Sequence, residues 1–163
     1  MNIQENEILT IFRICLESNV IKLSQIERWA DNLLVNSAPV RSDYILELCF
    51  AQKGGINSTV HILKENEAQI NNPLLWKVSF GLTAIYYESK EIDLGQACHC
   101  ITKIANEFNY FGELKVDGMG LDDSYYLAKG GIYGEFYQVE EGLMDLTKDY
   151  KELAKDFLLE TKI

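Results

Sequence analysis

Proline and histidine are nearly missing from this chain, with two of each in 163 residues. So little proline argues against a loop-rich or all-β design. Two imidazoles, His61 and His99, leave little material for acid–base chemistry built on histidine, and neither sits near a motif. Basic residues are short too: 15 Lys and Arg stand against 25 Asp and Glu, for a net charge of −10. No Lys/Arg cluster occurs, which excludes a general nucleic-acid binder, because phosphate affinity rests on such clusters. Anionic membrane surfaces are disfavoured for the same reason, and no apolar run is long enough to span a bilayer. The amino terminus lacks a basic region followed by an apolar run, so no secretion signal is expected. The four cysteines, Cys15, Cys49, Cys98 and Cys100, fall in segments of helical character. They read as small buried apolar groups with reduced thiols, as in a cytoplasm. The nucleophile turn GxSxG, the phosphate loop GxxxxGK[ST] and the zinc helix HExxH are absent. Gly118-Met119-Gly120 is followed by Asp123 where a dinucleotide fingerprint needs glycine.

What the chain does contain is apolar residues at helical period. At 163 residues it fits one domain with one core. Residues 5–18 carry Ile8, Ile11, Phe12, Cys15 and Leu16 on one stripe, with Glu5 and Glu7 where the helix dipole favours anions. Ser24-Gln25-Ile26-Glu27 matches a capping box for a second helix. Pro39 breaks the chain, Ser42 or Asp43 caps a third helix over 44–51, and Gly54-Gly55 ends it. Asn57 and Ser58 start a fourth. Asn71-Asn72-Pro73 opens a fifth over 73–88, apolar on nearly every side and therefore expected at the centre. Asp93 caps a sixth helix, through Phe108. From Leu143 to Leu158 apolar residues recur at three and four, giving a long C-terminal helix. The expectation is an all-α, single-domain bundle of about seven to eight helices, with an irregular Gly/Tyr/Asp-rich segment before the last.

That irregular segment, 107–145, is unlike the rest. It holds nine carboxylates (Glu107, Glu113, Asp117, Asp122, Asp123, Glu135, Glu140, Glu141, Asp145) against Lys115 and Lys129, a net of −7 out of the chain's −10. Seven glycines and eight aromatic residues are interleaved, and a short helix is expected over 122–128, ended by Gly130-Gly131. A negative, tyrosine-bearing surface suits a cationic partner, because complementary potential steers encounter and sets register. The expected contacts are Asp117, Asp122, Asp123 and Glu135 for partner cations, with Tyr125, Tyr126, Tyr133 and Tyr137 supplying aromatic area. Glu113, Asp117, Asp122 and Asp123 do not follow the calcium-loop pattern and read as a solvated acidic loop. In Cys98-His99-Cys100, thiols two apart on a helix point to different sides and no CxxC completes a ligand set, so no metal or other cofactor is expected.

Two stretches carry a resemblance of type. Ile26-Glu27-Arg28-Trp29-Ala30-Asp31, followed by Pro39 and Ile45-Leu46-Glu47-Leu48, resembles an amino-terminal helix pair of some uncharacterised bacterial helical families. In size, acidity and want of a catalytic motif the chain resembles the small helical immunity proteins of polymorphic and contact-dependent toxin systems. The resemblance implies a cytoplasmic, non-catalytic, stoichiometric inhibitor that covers a basic toxin site, often that of a nuclease. The alternative is a small helical enzyme or ligand sensor that uses an acidic loop around Asp117–Asp123, with a divalent cation.

Overall fold

The computed structural model describes residues 3–36, 43–69, 72–108 and 113–163, and for 113–119 the backbone alone. Pro39, Ser42 and Asn71, assigned to turns and caps above, lie outside the described residues. The described chain is helical: α1 (Glu5–Glu17), α2 (Leu23–Asn36), α3 (Asp43–Leu48), α4 (Ala51–Asn66), α5 (Pro73–Glu88), α6 (Leu94–Glu107), α7 (Glu113–Lys129), α8 (Phe136–Thr147), a 3-10 turn (Lys148–Tyr150) and α9 (Lys151–Thr161). The 3-10 turn joins α8 and α9 without a gap, so they form one long C-terminal helical run, and the described residues make an all-helical bundle of eight such runs, within the seven to eight expected. No described helix is long and apolar enough to cross a membrane.

Local chemistry sets several boundaries where it was expected. The Asn72 side chain accepts from the Leu74 N–H at 2.9 Å, and Pro73 takes the first helical position, where no donor is lost. Asp93 and Gln96 satisfy each other's backbone N–H groups at 2.8 and 2.9 Å, a capping box that opens α6. Gly55 adopts φ +81° and kinks α4, but the third helix, expected over 44–51 and ended by Gly54-Gly55, already closes at Leu48, and α4 begins at Ala51 instead of at Asn57 or Ser58.

The box at Ser24–Glu27 does not form. Leu23 is the first residue of α2, and it is the Gln25 side chain that accepts from the Lys22 N–H, at 2.8 Å. Glu27 turns outward and accepts from the Gln52 N–H at 3.0 Å and from the Gln52 side chain, tying α2 to α4. A tertiary partner outcompetes the local motif.

At the centre lies α5, buried through Leu75, Trp76, Val78, Phe80, Leu82, Ala84 and Tyr86 and touching α1, α6, α8 and α9. Its contact with α9 is close because residue 81 is glycine: a Cβ there would sit 2.2 Å from the Tyr150 carbonyl oxygen and 2.8 Å from the Ala154 Cβ. The second central helix is α1, in which every residue from Leu9 to Leu16 is buried. The stripe expected of it is widened by Arg13, a charged residue only 3 % exposed. Its guanidinium meets Glu67 at 2.7 Å, Glu17 at 3.2 Å and Glu107 at 3.3 Å, while Lys64 and Lys103 reach Glu17 at 3.3 and 3.7 Å. Burial opposes the charge on Arg13, and the hydrogen bonds it donates to Glu67 and Glu107 more than offset it, holding the guanidinium above its ordinary value. The network fastens the ends of α4 and α6 to α1.

Candidate functional site

The stretch over 107–145 is far more regular than its glycines imply. Helix α7 starts at Glu113 and continues to Lys129, well before the short helix expected over 122–128, and α8 follows after six residues. Packing of α7 against α6 and α8 overrides the weak helix propensity of Gly118 and Gly120. Gly130-Gly131 ends α7 as expected. Gly131 takes φ +63°, the Ile132 N–H donates to the Leu127 carbonyl at 2.9 Å and the Gly131 N–H to the Ala128 carbonyl at 3.1 Å, the paired bonds of a Schellman motif.

This turn pushes aromatic and aliphatic side chains into solvent. Tyr126, Tyr137, Ile132 and Tyr133 are 60, 64, 75 and 79 % exposed, and Leu127 and Phe136 are exposed beside them. Tyr125 plays a different part from the other tyrosines. It is half-buried, lies over Gly95 of α6 and contacts the Tyr126 and Phe136 rings at centroid distances of 5.7 and 5.8 Å, with the Lys129 Nζ 5.6 Å from its ring. A Cβ at Gly95 would stand 2.7 Å from the Tyr125 ring, so glycine at 95 creates its seat. Sequence reasoning missed Gly95, Leu127, Ile132 and Phe136. The apolar Ile132 in a glycine-flanked turn, with no helix to bury it, was the available signal.

The carboxylates divide into two sets. Glu107 is held by Arg13, Asp122 faces His99 of α6 at 3.5 Å, Glu140 accepts from the Tyr87 hydroxyl at 2.6 Å, and Asp145 pairs with Lys148 at 3.0 Å. Asp123, Glu135 and Glu141 are exposed and form no ion pair among the described residues. The side chains of Glu113 and Asp117 lie outside the described residues. The negative charge outside ion pairs around the tyrosines is therefore Asp123, Glu141 and Glu135, the last facing the Gln138 N–H in the capping box that opens α8. Asp122, named with them from sequence, is committed to α6.

The acidic loop expected around Asp117–Asp123 is helical, and the adjacent Asp122 and Asp123 lie about 100° apart around its axis. Among the described residues no group of three His, Cys, Asp or Glu is placed to hold a metal ion. Cys98 and Cys100 are both buried but look to different neighbours. The Cys100 Sγ is 3.2 Å from the Thr83 hydroxyl of α5, while burial, with Asp122 and Asp93 nearby, pushes the Cys98 thiol up to about 12. His99 between them is exposed on the α7 side.

Comparison of the chain with models of protein families, with curated proteins and with solved structures finds no match, so the face formed by α7, the turn and α8 stands on its geometry alone.

Proposed function

We propose that this chain is a non-catalytic binding protein that docks a basic protein domain on the face around Tyr126, Tyr133 and Tyr137, in the manner of an immunity protein that neutralises a toxin domain. The observation that carries the reading is the exposed run Tyr126, Leu127, Ile132, Tyr133, Phe136 and Tyr137, bordered by the unpaired Asp123, Glu135 and Glu141. Scattered apolar residues on a surface need no explanation, but a contiguous apolar run with a charged rim marks an interaction site. Rigid tyrosines give large contact area at low entropy cost and recur as binding hot spots. The rim carboxylates would set association rate and salt dependence, and the aromatic centre the rate of dissociation. The enzyme or sensor reading has less support, because the acidic loop it needs is a helix.

Protection is the test. The chain is co-produced with the toxic C-terminal domain encoded beside its own reading frame, and growth is measured. Rescue is expected, with binding that weakens as salt rises. Tyr133→Ala should cost about 2 kcal/mol of affinity, roughly thirtyfold. A neighbouring frame with no toxic product, or rescue indifferent to Asp123→Lys and Glu135→Lys, overturns the proposal.

A further inference from the structure

The docking face is not flat. Gly120, Leu121 and Ser124 of α7 and Gln138, Val139 and Gly142 of α8 line a groove of about 420 Å³, bounded also by Tyr133, Gly134 and Glu135 of the turn. Each helix supplies positions i, i+1 and i+4, which share one face. The small residues keep it open. A Cβ at Gly120 would meet nothing within 4 Å, and one at Gly142 would crowd the Leu121 side chain at 3.3 Å.

The lining demands a particular occupant. Leu121 and Val139 are buried and give an apolar floor. The Glu135 carboxylate, exposed and outside any ion pair among the described residues, faces the Gln138 N–H in the capping box that opens α8 and makes one margin negative, and Tyr133 borders the groove as well. The Gln138 Oε1 is already occupied by the Glu135 N–H at 3.0 Å. An anion is repelled by Glu135, and a purely apolar group would strip water from that carboxylate without replacing it. An arginine answers each part: its aliphatic stem covers the floor, its guanidinium pairs bidentately with a carboxylate, and its plane stacks on an aromatic ring. The volume falls in the range of about 300–1,000 Å³ that small ligands fill, enough for the side chain and its flanking peptide groups.

We infer that this groove is a socket for one arginine side chain of the basic partner, an inference that rests on the docking reading above. The probe is N-acetyl-arginine amide, titrated into the isotope-labelled chain and followed by the backbone amide resonances of Gly134 and Gly142. Saturable shifts are expected, roughly fivefold weaker affinity for the lysine amide, and none for the citrulline amide, which has the same shape without the charge. Glu135→Gln should abolish the response, and so should Gly142→Leu, which fills the groove. Equal responses to arginine and citrulline, an unchanged response in Glu135→Gln, or unsaturated shifts spread over the whole acidic surface overturn the socket. Growth protection separates the two ideas. Loss of protection by Tyr137→Ala in a chain whose groove ignores arginine removes the socket and keeps the docking face. Arginine binding without protection removes the immunity role and keeps the cation site.

Discussion

Arg13 is the residue with most at stake. Its three carboxylates come from α1, from the residue after α4 and from the end of α6, so one guanidinium bridges positions 54 and 94 residues away. Removing one member of such a cluster leaves the others facing each other in a poorly hydrated place. Arg13→Ala should therefore lower stability by about 3 kcal/mol, the lower end of the range for breaking buried ion pairs, because the glutamates keep some solvent. Arg13→Lys should rescue little, since one ammonium cannot replace a fork that serves separate carboxylates. Denaturant midpoints of the three proteins check this, and a loss below about 1 kcal/mol for alanine would mean the network is merely a surface ornament of the kind common in proteins. Nothing in the local sequence marks Arg13 as buried. Ile-Phe-Arg-Ile reads as one polar position on the outer edge of a stripe.

At the scale of elements, α6 is the floor on which the exposed aromatic face of α7 and α8 rests. Gly95 lets the Tyr125 ring lie on α6, and Tyr125 in turn contacts Tyr126 and Phe136, so a missing side chain on one helix positions aromatics on two others. Gly95→Ala should raise helix propensity by about 1 kcal/mol, yet displace Tyr125 and weaken partner binding. Tyr125 becomes more exposed, which tyrosine-specific nitration followed by peptide mapping reads directly. Unaltered nitration with unaltered binding would show the ring finds another seat. Helix starts at 73 and 94 were readable because Asn-Pro and Asp-Leu-Gly-Gln cap their own backbones within four residues. The Ser24 box failed because Gln25 was as near to Lys22 and Glu27 had a partner 25 residues away. The length of α7 was hidden by its glycines, whose cost is met by contacts with α6 and α8 that no window of sequence contains.

Across the whole molecule the thiols share one behaviour. Burial pushes Cys49 up to about 11, with Asp31 adding to it; burial pushes Cys100 to about 11 against its contact with the Thr83 hydroxyl, Cys98 to about 12, and Cys15 well above its ordinary value. A raised thiol pKa means the folded state favours the neutral form. The stability this supplies is fully present below about 9 and is lost as pH rises toward 11 and 12. Urea midpoints should therefore fall between pH 9 and pH 11, roughly an ordinary thiol's titration range and above. Tyr86, Tyr87 and Tyr150 add to the fall, because burial raises them too. Replacing Cys98 and Cys100 by alanine should flatten the curve, and midpoints that stay level to pH 11 in the parent chain would contradict the burial of these groups.

By itself the sequence determined that this chain is helical, where several helices begin, which helix is central, and that its negative charge gathers near the tyrosines. Those properties rest on interactions within a few residues: caps, apolar period and the count of charges. Tertiary structure alone decided that Arg13 is buried, that Glu107, Asp122, Glu140 and Asp145 are already partnered, that Tyr125 supports while Tyr126, Tyr133 and Tyr137 face outward, and that α7 and α8 leave a groove between them. Whether a charge is free or a ring is exposed depends on what another helix, tens of residues distant, brings within a few ångströms, and local periodicity carries no record of that distance.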